Sequence, residues 1–266
     1  MKALAALLLS AAPLMAGTWD DLAPQVFPGA ALLPAGDVIA LDSPYRTQND
    51  SRTQIAARIT PPAGTLVEEV TLVLDENPMP VSAVFRLAVP QPGFGFEATM
   101  RINGPTPVHV VAALSDGRHF VAEAFVKTSG QGACAAPPGT DPKEALATLG
   151  QMELQLLPGL PGSGSVTERL AKLAGAPGRL DVEVSHPSHS GMQMDQVSLL
   201  FIPMRYVETL EIGIDGMPFA EVTGSISLSE NPHLGLTVPP EAHRAEVTMT
   251  DTDGTVATAQ TALPGY

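Results

Sequence analysis

The strongest constraint on this chain is its cadence of short apolar or alternating segments, each closed by a chain-breaker. Segments 37–42, 54–60, 67–74, 82–89, 97–102, 108–114 and 120–127 all read this way. An apolar-polar period of two marks a half-buried strand. Pro61-Pro62, Asp75-Glu76-Asn77-Pro78 and Ser115-Asp116-Gly117-Arg118 supply the turns between them. The texture returns in segments 179–185, 197–202, 206–214, 217–223, 224–228, 234–238, 246–250 and 256–262, with Asp215-Gly216 and Asp253-Gly254 as hairpin turns. With 26 prolines and 24 glycines in 266 residues, long helices are few. The pattern predicts an all-β chain: two immunoglobulin-like β-sandwich domains in tandem, over 18–127 and 177–266, with a short, partly helical linker between them.

The linker spans 141–176. Segment 141–150 predicts a short helix: Asp141 as cap, Pro142 in the first turn, Gly150 near the stop. Met152 to Leu157 reads as a strand, and 158–164 as an exposed Gly/Pro-rich stretch. Segment 165–173 predicts a second helix capped by Ser165, with Gly175 near its stop. A single helical turn is expected near Asp20 to Ala23.

Residues 1–17 have the grammar of a secretory signal peptide. Lys2 supplies the positive start, an apolar run follows from Ala3 to Met15, and small residues stand at Ala16 and Gly17. The run is too short for a membrane span. It predicts export to the periplasm, with cleavage near Ala16 or Gly17 and no membrane insertion of the mature chain. A formal charge of −14 argues against nucleic acid as a partner, since phosphate backbones call for basic patches.

The chain has one cysteine, Cys134, in Thr128-Ser129-Gly130-Gln131-Gly132-Ala133-Cys134-Ala135-Ala136-Pro137-Pro138-Gly139. Apart from Pro137 and Pro138, no apolar side chain longer than alanine stands within five residues of the sulfur. Gly130, Gly132 and Gly139 confer backbone freedom, and the prolines bar a helix or central strand. The segment 128–140 is therefore expected to be a slender, mobile loop that exposes Cys134. In an oxidising compartment a thiol with no internal partner is either hidden or used; the loop context favours use over an ordinary buried cysteine.

Both halves resemble known proteins. Asp75-Glu76-Asn77-Pro78-Met79-Pro80, then Ala83-Val84-Phe85, then Ser115-Asp116-Gly117 before a strand and the cysteine segment, resemble SoxY. His186-Pro187 with Gly191, Phe201-Ile202-Pro203, Ser229-Glu230-Asn231-Pro232 and Thr250-Asp251-Thr252-Asp253-Gly254 resemble SoxZ. The ordered set covers the chain from about Leu33 onward and is most similar to fused SoxYZ-like carriers associated with quinoprotein dehydrogenases. The resemblance implies a carrier and not an enzyme, with no resident cofactor. Cys134 is the implied covalent attachment point for a sulfur-containing intermediate, and Gly130, Gly132 and Gly139 are the implied flexible arm. The implied partners are periplasmic redox enzymes: a quinoprotein dehydrogenase, a c-type cytochrome or Sox enzymes. Two features differ from SoxY. Alanines flank Cys134 where SoxY has Gly-Gly-Cys-Gly-Gly, and the arm runs on into a second domain. Extended, residues 128 to 134 would reach roughly 20 Å, at about 3.3–3.6 Å per residue.

Two other functional classes fit parts of the sequence. His186, His189, Met192 and Met194 lie within nine residues and offer imidazole and thioether ligands suited to copper; packed methionines in a loop are the simpler reading. A non-covalent adaptor for a dehydrogenase would leave Cys134 dispensable. Catalysis is poorly supported, because the sequence has no Gly-x-Ser-x-Gly elbow, phosphate loop or dinucleotide glycine pattern.

Overall fold

The computed structural model describes residues 18–130, 132–136, 138–158, 177–195 and 197–263. The signal-peptide segment, the Gly/Pro-rich stretch after Pro158 and the expected helix over 165–173 lie outside them. Helix α1 (Thr18–Val26) opens the described chain. Eight strands follow: β1 (Leu32–Pro34), β2 (Ile39–Asp42), β3 (Thr53–Ile59), β4 (Val67–Leu74), β5 (Val81–Gln91), β6 (Phe94–Met100), β7 (Thr106–Leu114) and β8 (His119–Val126). Helix α2 (Pro142–Ala147) comes next, capped by Asp141, whose carboxylate accepts from the Lys143 and Glu144 amides. The remaining strands are β9 (Met152–Leu157), β10 (Gly178–Val184), β11 (Val207–Ile214), β12 (Met217–Thr223), β13 (His233–Val238), β14 (Arg244–Asp251) and β15 (Val256–Ala262). Among the described residues neither α-helix is long and apolar enough to cross a membrane.

The fold is all-β, with two sandwich-like halves. They are not beads on a string. One nine-stranded sheet has the order β1-β8-β7-β4-β5-β12-β11-β14-β15, and the facing six-stranded sheet runs β2-β3-β6-β13-β10-β9. The halves join edge to edge twice. In one sheet β5 pairs antiparallel with β12, with Val84 opposite Thr223 and Leu87 opposite Ala220. In the other β6 pairs with β13, with Phe96 opposite Leu236 and Ala98 opposite Leu234. An isolated sandwich would leave these edges as unpaired rows of N–H and C=O groups; here each half completes the other's ladder.

One core cluster runs through both halves. Phe85 of β5 and Phe96 of β6 stack across the two sheets at 4.4 Å between ring centroids, beside the seam, and Phe94 tilts against Phe85 at 5.9 Å. Strand β3 alternates buried and solvent-facing residues, as its sequence does. Strand β4, flanked on both sides, is buried along most of its length.

The structure departs from expectation in three places. Leu32–Pro34, outside the segments that read as strands, pairs parallel with β8. Segment 224–228 is a turn, not a strand: the Leu228 amide returns to the Ser225 carbonyl. A Cβ on Gly224 would lie 2.4 Å from the Val207 carbonyl oxygen, so no larger residue fits. Segment 197–202 is a solvent-facing turn, not a buried strand; its apolar run satisfied the sequence criterion without a sheet to receive it.

Because the core is continuous, the full chain should unfold in one cooperative transition, and Phe85→Ala should destabilise both halves together by about 3–5 kcal/mol. Denaturant titrations with probes in each half check this. Two separable transitions in the wild type would contradict a shared core.

Candidate functional site

Cys134 is not on an exposed loop. Its relative exposure is 0%, a correction to the sequence expectation. The segment's small residues cannot bury the sulfur by themselves, but the other half of the molecule covers it. Gly130 and Gly132 take left-handed backbone angles, φ 84° and 74°, which only glycine adopts at little cost. After Gly132 the residues Ala133–Ala135 form one turn of 3-10 helix. The flanking alanines favour that local turn where glycines would resist it. Their small side chains let the backbone lie close against its surroundings.

Hydrogen bonds from both halves hold the arm. At its start, the Asp50 carboxylate accepts the Ser129 amide at 2.9 Å and also its hydroxyl. At the cysteine, Asn103 Oδ1 accepts the Cys134 N–H at 3.2 Å. The Ser190 hydroxyl donates to the Cys134 carbonyl, and Gln193 Nε2 donates to the Ala136 carbonyl at 3.0 Å. At the exit, Glu230 Oε2 accepts the Gly139 N–H at 2.8 Å. Asn103 comes from the first half; Ser190, Gln193 and Glu230 come from the second.

The Asn-Pro turns noted in the sequence set these partners in place. Asn77 accepts the Asn103 N–H at 2.9 Å and donates to the Arg101 carbonyl at 2.7 Å and to Ser227 Oγ at 2.9 Å. In the second half, Asn231 Oδ1 accepts the His186 amide at 2.9 Å and the Asn231 amide returns to the His186 carbonyl. Arg101, only 2% exposed, donates to the carbonyls of Ser188 and Leu228. Burial drives its pKa down, while the Cys134 thiolate, when it forms, and the Glu230 charge oppose that shift. Burial also pushes the Cys134 thiol up to about 11, against the pull of the Arg101 charge. In this position the thiol is neutral and unreactive at neutral pH.

The histidine-methionine run is taken up by structural contacts. His186 Nδ1 accepts the Ser188 N–H at 2.9 Å, so its proton sits on Nε2, facing Asp251 Oδ2 at 3.4 Å. His189 Nδ1 lies 3.1 Å from Gln193 Oε1, orienting the amide that holds Ala136. Met194 faces outward across an isolated bridge to Phe201. Among the described residues no group of three His, Cys, Asp or Glu side chains stands close enough to share a metal. Sequence reasoning missed Arg101, Asn103, Ser190, Gln193 and Glu230. Glu230 lay in a quoted motif and Asn103 follows a predicted strand, but nothing local marks either as a partner of the cysteine.

Asp251 is the buried anchor of this region. Burial would raise its pKa, but hydrogen bonds from Arg205 and Thr255 and the Arg205 charge hold it below the usual carboxylate range. For His186, burial pushes the pKa down to about 4 in spite of Asp251. The folded state therefore binds fewer protons here than the unfolded chain. Stability from neutral His186 is complete above the ordinary value near 6.5 and is lost as pH falls toward 4. That contribution is about 3 kcal/mol. In urea titrations between pH 7 and 4, His186→Gln should flatten this part of the wild-type pH dependence; an unchanged slope would contradict a buried neutral imidazole.

The family model described as sulfur oxidation protein SoxY matches residues 24–134, ending on the cysteine. The model described as sulphur oxidation protein SoxZ matches residues 167–262. Among solved structures, the sulfur carrier protein SoxY from Chlorobium limicola f thiosulfatophilum is similar at 18% identity and a TM-score of 0.34, covering 42% of this chain and 96% of that one. A β-glucuronidase from Parabacteroides merdae is similar at 12% identity and a TM-score of 0.24, covering 85% of this chain and 25% of that one. No curated protein matches. SoxY and SoxZ are carrier proteins of sulfur oxidation, not enzymes. The chain belongs to the SoxYZ-like family, with a SoxY domain and a SoxZ domain fused in tandem.

Proposed function

We propose that this protein is an exported, periplasmic carrier that holds a sulfur-containing intermediate covalently on Cys134 and presents it to partner enzymes. The observation that carries the reading is that the chain's only thiol is the residue on which the SoxY match ends. It also lies where both domains touch the arm through polar, reversible contacts. The signal-peptide pattern of residues 1–17 supports the compartment.

The buried thiol defines a resting state. Reaction calls for the arm to leave its seat, with Gly130 and Gly132 absorbing the backbone change. The hydrogen bonds at Asn103, Ser190 and Gln193 are each worth about 0.5–1.5 kcal/mol net and the one to the Glu230 carboxylate about 1.5–3 kcal/mol, a total that a partner's binding energy can offset. Once solvated, the thiolate can attack a sulfur of an S–S bond, forming a new S–S bond to Sγ and expelling the other sulfur as the leaving anion. That exchange needs no outside oxidant. Loading directly from a thiol and a reduced sulfur anion would release two electrons, and a periplasmic redox partner such as a c-type cytochrome or a quinoprotein dehydrogenase would accept them. A tether at both ends keeps the arm's excursion shorter than that of a free tail.

Two outcomes test this reading. In intact-mass spectra of protein from the native host, wild type should carry a reductant-labile adduct that Cys134→Ser lacks, and Cys134→Ser should abolish pathway activity. Full activity in that variant would sink the carrier. Separately, at pH 7 iodoacetamide should alkylate folded Cys134 about 100-fold more slowly than the denatured chain. Ser190→Ala with Gln193→Ala should recover at least about tenfold of that rate by loosening the arm. Rates equal in folded and unfolded protein would show that the arm is not stowed.

A further inference from the structure

The segment that clasps the cysteine is the inner limb of a hairpin, and the tip of that hairpin is apolar. The Arg205 amide donates to the His189 carbonyl, the Ile202 amide to the Gln193 carbonyl, and the Asp195 amide to the Leu200 carbonyl. Bridges pair His189 with Arg205 and Met194 with Phe201. Ser190 and Gln193, at the base, hold the Cys134 and Ala136 carbonyls. At the tip, Val197 is 93% exposed and Phe201 68%, with Leu199 and Leu200 also open to solvent; Met204, nearer the base, is exposed as well.

The described residues of this tip are held by local hydrogen bonds. Asp195 Oδ1 accepts the Val197 amide at 3.1 Å, the Ser198 amide at 2.6 Å and the Ser198 hydroxyl at 2.7 Å. Those donors hold the Asp195 carboxyl below the ordinary carboxylate range. Leu199 takes φ 57°, a left-handed conformation unfavourable for a branched side chain. The fold thus accepts local strain to hold leucine, valine and phenylalanine outward, an arrangement typical of functional segments.

We propose that the hairpin described by residues 189–195 and 197–205 is the docking lever for the enzyme that acts on the cargo: its apolar tip seats in the partner, and its base releases the arm. The proposal rests on the carrier reading. The occupant is a protein with an apolar cleft rimmed by lysine and arginine. Two observations select it. The tip is continuous with Gln193 and Ser190, whose side chains hold the backbone of the cysteine arm, so whatever seats the tip bears on the limb that holds Cys134. A net charge of −14 favours a basic rim and disfavours a second copy of this chain, which would bring the same charge. Seating the tip displaces Ser190 and Gln193 and removes two of the bonds that keep the thiol buried.

The test places a benzophenone amino acid at Val197 in the full chain, expressed and irradiated in its native host, with the same group at exposed Val256 on β15 as control. The expected result is one principal adduct from Val197 and not from Val256. Its mapped sites should line an apolar cleft with basic residues at the rim. Leu200→Asp with Phe201→Asp should cut its yield about tenfold or more. The purified partner should raise Cys134 alkylation by iodoacetamide at least about tenfold in wild type and not in the double variant. An absent adduct, an adduct with a second copy of this chain, insensitivity to the double substitution, or an unchanged alkylation rate each overturns the proposal. Docking does not need the thiol, so Cys134→Ser should crosslink as wild type does. An unloaded Cys134 would count against the carrier reading and leave this result standing.

Discussion

The antiparallel pairing of β5 with β12 and of β6 with β13 is the interaction on which the rest of the structure depends. It turns two edges that would invite aggregation into the interior of two long sheets. It also fixes the distance between loops at the ends of those strands. Asn103 follows β6, and Ser229-Glu230-Asn231 precedes β13. Thr99 meets Ser229 through their hydroxyls at 2.7 Å, and the Arg101 amide reaches the Ser227 carbonyl at 2.7 Å. Without the seam, the partners of the cysteine arm would have no defined spacing.

That spacing turns a compositionally flexible segment into a stowed one. Glycine and alanine lower the barrier to moving the arm, yet the same small side chains let its backbone fit into the cleft, where polar groups from both domains satisfy it. Hydrogen bonds of modest net worth are suited to this task, since each can be exchanged for one to water or to a partner when the arm leaves. Burial silences the thiol by raising its pKa, so protection of the sulfur and readiness to move come from one arrangement.

Polar burial elsewhere around the site serves rigidity. Arg101 spends its guanidinium on backbone carbonyls, His186 is fixed as one neutral tautomer between Ser188 and Asp251, and Arg205 locks Asp251 at 2.8 Å. Side chains that look like metal ligands or acid-base groups in the sequence instead pin the loops 186–193 and 226–231 against the seam. The hairpin built on that base can then carry a strained, outward-facing tip.

Much of the architecture was legible without coordinates. Val67–Leu74, Met152–Leu157, Met217–Thr223 and Val256–Ala262 fall where the sequence places strands, because apolar content, period and turn residues are local properties. The Asp141 cap follows from its spacing to Lys143 and Glu144 in the same way. Local pattern failed at 197–202, where an apolar run faces solvent, and at Cys134, where it implied exposure. At 197–202 no sheet edge receives the run, and at Cys134 the deciding contacts are distant in sequence. Cys134 meets Asn103 across 31 residues and Ser190 across 56. The sequence by itself determined an all-β, two-domain chain with a single thiol on a glycine-bearing arm. Only the tertiary structure decided that the thiol is covered and that the base of an apolar-tipped hairpin holds its arm, because burial is a property of what the rest of the chain brings alongside.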